Sequence, residues 1–168
     1  LAHRRAQDLG IEHILVATTS GETGARAADV FRDHNLVAVT HSTGFSAPNQ
    51  QSLKPEHRER MEQAGVHILT CQHALGGVGR AIRRKLGTYQ VDEIIAFVLR
   101  SFCHGIKVAC EITLMATDAG LVPAGEEIIA IGGSGHGADS AAVILSANAQ
   151  DFFDLRVLEL VCKPRCWR

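Results

Sequence analysis

The chain has no surplus of charge of either sign. Its 17 lysines and arginines stand against 18 aspartates and glutamates, a net charge of −1, so the basic footprint that a nucleic-acid partner requires is missing. Also missing is any apolar run near the ~20 residues that a membrane-spanning helix needs. The opening Leu1-Ala2-His3-Arg4-Arg5 has no signal-peptide pattern. There is no Cys-x-x-Cys: Cys71, Cys103, Cys110, Cys162 and Cys166 are scattered and odd in number, which speaks against a disulfide framework. The close pairs Cys103-His104 and Cys162-x-x-x-Cys166 fall short of the clustered ligands of a zinc site. These absences predict a cytoplasmic protein with reduced thiols, no metal, no nucleic-acid partner and no membrane partner. A chain that starts at Leu1 is also expected to lack residues upstream.

What is present suits one folded unit. Hydrophobic residues make up 46% and charged residues 21% of 168 positions, which excludes disorder. A chain of this length buries about 70% of its extended surface, so residues 1–168 are read as a single domain.

The chain is organised around Ile14-Leu15-Val16-Ala17-Thr18-Thr19-Ser20-Gly21-Glu22-Thr23-Gly24. The apolar part predicts a buried parallel strand and the alanine-rich stretch from Ala25 to Phe31 a helix. The loop between them offers backbone N–H groups and the hydroxyls of Thr18, Thr19, Ser20 and Thr23 to an anion at the positive end of a helix. A plain alternative is a capping box, with Thr19 as the cap and Glu22 reaching back to it. Capping leaves Gly21 and Gly24 unexplained. Each weakens a helix start by roughly 0.8–1 kcal/mol relative to alanine, unless a close approach or a positive φ requires it.

A helix over residues 2–9 is stopped by Gly10, and residues 36–41, 66–70 and 127–131 predict three further buried strands. Residues 42–53 form a long loop of the kind that often serves as a lid or binding loop. Its Phe45 fits either a ligand cover or a core plug. Pro55 opens a charged helix that ends at Gly65, and Arg80, Arg83, Arg84 and Lys85 read as a solvated helical face or an anion attractor. Val91, Ile94, Ile95, Val98, Leu99 and Phe102 recur at helical spacing and predict an amphipathic helix. The helix from Lys107 to Ala119 carries Lys107, Glu111 and Asp118 on one flank. That flank is either an exposed salt-bridged stripe or a way of turning Glu111 into a cleft.

Gly132, Gly133, Ser134, Gly135, Ala138 and Asp139 follow the fourth strand. The match of Gly133-x-Gly135-x-x-Ala138 to a dinucleotide fingerprint fails on context, because residues 141–145 suit a strand where a Rossmann loop must open a helix. A backbone nest for a phosphate or a wrap around a flat ring fits better. Residues 155–161 alternate like an edge strand with one wet face. Four buried strands separated by helices predict an α/β fold with a mostly parallel sheet covered on both sides. The loops at residues 18–24, 40–44, 71–79 and 132–139 then converge on the carboxyl edge, where such sheets bind ligands.

Thr18-Thr19-Ser20-Gly21-Glu22-Thr23 resembles the Thr-x-Ser-Gly-x-Ser/Thr loop of the pyruvate kinase C-terminal domain, which there holds a phosphate of a sugar bisphosphate activator. Residues 10–165 are similar, more closely, to small stand-alone pyruvate kinase alpha/beta domain proteins of archaea and bacteria. The resemblance rests on Val16-Ala17-Thr18-Thr19-Ser20-Gly21, Val39-Thr40-His41, Thr70-Cys71-Gln72-His73-Ala74-Leu75, Lys107-Val108-Ala109-Cys110-Glu111-Ile112, Asp118-Ala119-Gly120-Leu121, the glycine loop at 132–139 and residues 148–163. The chain departs from that pattern at its ends, where an upstream helix is missing and Cys166-Trp167-Arg168 closes the sequence.

The resemblance implies a three-layer α/β/α sandwich with an antiparallel edge strand and a bound flavin mononucleotide (FMN), in a family without an assigned catalytic activity. The barrel and catalytic motifs of pyruvate kinase are absent, so phosphotransfer to ADP is not implied. Two functions follow as expectations. One is a flavoprotein, with phosphate on Ser20, Gly21, Thr23 and Gly24, the ring between Thr40, His41 and the glycine loop, and His41 and Glu111 as catalytic candidates. The other is a non-catalytic module that senses a sugar phosphate or nucleotide. The small phosphorylated ligand is the expected partner, and assembly into a homo-oligomer is left open.

Overall fold

In the computed structural model, which describes residues 1–165, α1 (Ala2–Leu9), β1 (His13–Ala17), α2 (Glu22–Val30), β2 (Asn35–Val39), α3 (Pro55–Gln63) and β3 (His67–Leu69) form the first half. Then come α4 (Val78–Leu86), α5 (Val91–Arg100), α6 (His104–Asp118), β4 (Glu127–Gly132), β5 (Ser140–Leu145), a kinked 3-10 segment (Ala149–Asp154) and β6 (Arg156–Cys162). The six strands make one sheet in the order β3-β2-β1-β4-β5-β6. β1 pairs parallel with β2 and β4, and β2 pairs parallel with β3. β5 runs antiparallel to β4, and β6 antiparallel to β5. This is the expected mostly parallel sheet: β5 alone runs against the other strands, and β6, the edge strand, pairs antiparallel with it.

The parallel strands are apolar on both sides because both faces are covered. On one face Ile14, Val16, Ala38 and Ile129 meet α1, α2 and α3. On the other, Leu15, Val37, Ala130 and Ile144 meet Ile106, Ala109, Cys110 and Ile112 of α6. α5 lies outside α6, packed through Ala96 against Leu114.

Two expectations about packing are corrected. β3 is only three residues long and its members are exposed or half-buried, so it is a sheet edge and not a buried strand. In α5 the apolar stripe divides: Val91 is 73% and Val98 62% exposed, Ile95 and Leu99 are partly buried against the core, and the fully buried residues are Glu93 and Ala96. The small Ala96 lets α5 approach α6 closely, and Glu93 turns inward because Arg83 of α4 meets it at 2.7 Å.

Candidate functional site

The strand order reverses at β1, with β2 on one side and β4 on the other. The loops that leave β1 and β4 therefore diverge and open a crevice beyond the carboxyl ends. A cleft of about 1040 Å³ lies there, at the upper end of the roughly 300–1,000 Å³ typical of small-molecule sites.

One end of the cleft is built by the turn from β1 into α2. The alternative reading, a capping box, does not form. Gly21 takes the N-cap position at φ 95°, with no side-chain cap, which leaves Thr19 outside the helix. Ser20 Oγ only brushes the N–H of Glu22 at 3.5 Å, and Thr18 Oγ1 accepts from Gly24 N at 3.3 Å. The N–H of Thr23 and the hydroxyls of Thr19, Ser20 and Thr23 are left to the cleft, which all three residues line. Glu22 leans on Arg26 at 3.0 Å, so its charge is balanced at the mouth.

Gly21 and Gly24 do not line the cleft, and their lack of a side chain answers to α3. A Cβ on Gly21 would sit 2.5 Å from His57 and Leu53, and one on Gly24 2.5 Å from Met61 Sδ. The close approach that the sequence asked for is therefore packing, and the positive φ holds at Gly21 alone.

The opposite wall is the loop after β4. Gly133, Ser134, Gly135 and Ala138 line the cleft; Gly132 and Asp139 do not. Asp139 is the loop's internal brace, accepting from the N–H of Ser134 at 3.2 Å, from its hydroxyl at 2.5 Å, and from the Ser140 hydroxyl at 2.6 Å. Gly132 packs against the backbone carbonyl of Gly105 at the start of α6.

The far end is aromatic and charged. His41 follows β2 and stacks on Phe45 at 4.1 Å between centroids; Phe45 in turn lies 5.1 Å from His73 at 19°. Thr40, beside them, spends its hydroxyl on Thr70 at 2.6 Å. Glu111 and Lys107 do not form an exposed stripe: both are buried and paired to one another, and Glu111 lines the cleft. Asp118, on the same flank, is exposed and caps the 3-10 segment through Ala149 N at 3.0 Å. Glu111 Oε1 accepts from Leu75 N at 3.0 Å, and His73 Nδ1 stands 3.9 Å from Oε2.

Burial holds the His41 and His73 imidazoles below their ordinary range, with the Glu111 carboxylate pulling the other way. Burial also lowers Lys107, again against Glu111. The Nδ1 atom of His41 is buried without a partner among the described residues.

The structure thus brings Thr18, Thr19, Ser20, Thr23, Thr40, His41, Glu111 and the glycine-loop wall to one cleft. His73 and His104 also line it. Sequence reasoning named neither as a cleft residue: His104 was weighed only beside Cys103 as a metal ligand, and His73 only as part of one of the four converging loops. Among the described residues no group of three or more His, Cys, Asp or Glu is placed to hold a metal ion, and no helix is long and apolar enough to cross a membrane. Cys162 is described, whereas Cys166 lies outside the described residues.

A family model described as pyruvate kinase, alpha/beta domain matches residues 1–144. Among solved structures the chain is similar to a pyruvate kinase from Cryptosporidium parvum, with 16% identity and a TM-score of 0.40 over 87% of this chain and 21% of that one. It is also similar to the Cryptosporidium parvum pyruvate kinase in complex with ADP, with 16% identity and a TM-score of 0.37 over 97% of this chain and 22% of that one. The chain spans about a fifth of the length of these enzymes.

Proposed function

This chain belongs to the pyruvate kinase alpha/beta domain family, and on that premise we propose that its cleft binds a phosphorylated small molecule, FMN. The observation that carries the proposal is that one cleft joins an anion-receptive end at Thr19, Ser20 and Thr23 to an aromatic end at His41, Phe45 and His73. Phosphate suits the first end, where a helix N-terminus and hydroxyls add charge-assisted bonds. A flat conjugated ring suits the second. The unpartnered Nδ1 of His41 fits a ring with polar edges, since a buried polar atom is ordinarily satisfied by something.

When bound, FMN supplies two-electron redox chemistry. The chain's own residues position and shield it. His41, held neutral by burial, offers one hydrogen bond, as donor or acceptor, to the pyrimidine edge and is the group best placed to move a proton. Glu111 fixes His73 and Lys107 around that end. A second reading, a module that senses a sugar phosphate or nucleotide without chemistry, is favoured by the engagement of both Glu111 oxygens within the protein.

The absorbance of the purified protein and a titration with FMN test binding. Anaerobic reduction of the FMN-loaded protein by NADH and NADPH, in wild type, His41→Ala and Glu111→Gln, tests chemistry. Loss of turnover with FMN retained supports an oxidoreductase. FMN binding that neither nucleotide ever reduces supports the sensing module, and no affinity for FMN overturns the flavin assignment.

A further inference from the structure

A second cavity, of about 250 Å³, lies between α4 and α5 and is lined by Leu75, Arg80, Arg83, Glu93, Phe97 and Arg100 among others. Its chemistry is unlike that of the cleft. The Glu93 side chain is 9% exposed, an unusual place for a carboxylate unless it is paired. Its Oε1 accepts from Arg83 Nε at 2.7 Å. Its Oε2 is buried and has no partner among the described residues. A buried charged oxygen left in that state is costly, and it marks where a donor belongs.

The remaining cations stand apart from Glu93. Arg80 rests over the Phe45 ring at 5.0 Å and Arg100 over Phe97 at 5.4 Å. Arg83 and Glu93 offset each other, so among the described residues the cavity keeps two guanidiniums without an ion-pair partner beside one unsatisfied carboxylate oxygen. Guanidinium is the group best matched to carboxylate. The complement of this wall is a small molecule with two carboxylates and one ammonium.

We propose that the Arg80, Arg100 and Glu93 cavity binds an acidic α-amino acid, with its carboxylates on the two arginines and its ammonium on Glu93, whose buried Oε2 turns toward the cavity to meet it. The cavity is distinct from the cleft, and the two meet only where Arg80 rests on Phe45 at the cleft's aromatic end. A dicarboxylate lacking the amine leaves Oε2 unsatisfied, so the amine contributes selectivity as well as affinity.

Isothermal titration of the full chain with L-glutamate, glutarate and inorganic phosphate tests the proposal. Expected are saturable one-to-one binding of L-glutamate and at least about tenfold weaker binding of glutarate and phosphate, the equivalent of one charge-assisted contact. Arg100→Ala, at a half-exposed helix end, should weaken glutamate by about tenfold or more. Glu93→Gln should remove the preference for glutamate over glutarate. If Glu93→Gln fails to fold, Arg100→Ala and the wild-type ligand comparison still decide. The proposal is overturned by no saturable binding up to about 10 mM. It is equally overturned by glutarate or phosphate binding as tightly as glutamate, or by glutamate affinity unchanged in Arg100→Ala.

Discussion

The backbone N–H of Leu75 donates to Glu111 Oε1 at 3.0 Å, which ties the loop after β3 to the middle of α6. With Lys107 on Oε2, both oxygens of this buried carboxylate at the cleft wall are engaged. Lys107→Met is therefore expected to destabilise by about 3–5 kcal/mol, because it strands a buried charge. Adding Glu111→Gln should recover part of that loss, since the neutral amide oxygen still accepts from Leu75. Denaturant unfolding of the two variants checks this; a double mutant no more stable than Lys107→Met refutes it.

Acid should unfold the protein through its imidazoles. His41, His73 and His104 all sit below the ordinary value of 6.5, with burial the largest cause in each case. Between their folded pKa values and 6.5, the unfolded chain holds more protons than the folded one. Stability then rises with pH across that window, levels off above it, and is lost on acidification. Urea midpoints measured from about pH 5 to pH 7.5 should climb and then flatten, with a shallower climb in His73→Gln. An equal slope in that variant refutes the role of His73.

Thr23 lines the cleft beside the open N-terminus of α2. Thr23→Ala is expected to weaken FMN and inorganic phosphate by about tenfold, the effect of roughly 1.4 kcal/mol, while stability changes by no more than about 0.5 kcal/mol. Calorimetric titration and a melting curve read the two separately. Unchanged affinity for both ligands moves the phosphate elsewhere.

Gly24→Ala tests the packing account of that glycine. Alanine gains about 1 kcal/mol of helix propensity but drives a methyl into Met61 Sδ, Ala38 and Thr18, and overpacking of this kind costs about 1–3 kcal/mol. A net loss near 1 kcal/mol is expected. Because the clash is with Met61, the combination with Met61→Ala should be less destabilising than the sum of the single changes. Strict additivity in a double-mutant cycle contradicts the contact.

Much of the frame was legible because each parallel strand is a short apolar run ended by polar residues or glycine, as at Val16-Ala17-Thr18 and Ile131-Gly132. The convergence of four loops on one edge followed from that alone. The reason for Gly21 and Gly24 was not legible, since the atoms that exclude a side chain there belong to Leu53, His57 and Met61, more than 29 residues down the chain. The capping box failed for the same reason: Gly21, pressed by α3 into a left-handed turn, takes the cap position from Thr19.

Side-chain burial on helices was the least legible. α5 has apolar residues around most of its circumference, so periodicity could not say which face turns inward. Ala96 and Glu93 decide it. Lys107 and Glu111 look like any solvated i, i+4 pair until α6 is placed between the sheet and α5. His73 and His104 belong to no spacing pattern and meet in the cleft only because of the strand order.

The contact between Gly105 and Gly132 restricts how this sequence can drift. A methyl at 132 would run into the carbonyl of Gly105, and one at 105 into the hydroxyl of Ser140 and the Asp139 carboxylate that braces the glycine loop. No second-site change restores the first position, because its obstacle is main chain and every residue has one. The second is obstructed by side chains, which can be replaced, but only by giving up the brace. Of two glycines that touch, one is therefore fixed outright, and the other is free to vary only in descendants that have already loosened the wall of the cleft.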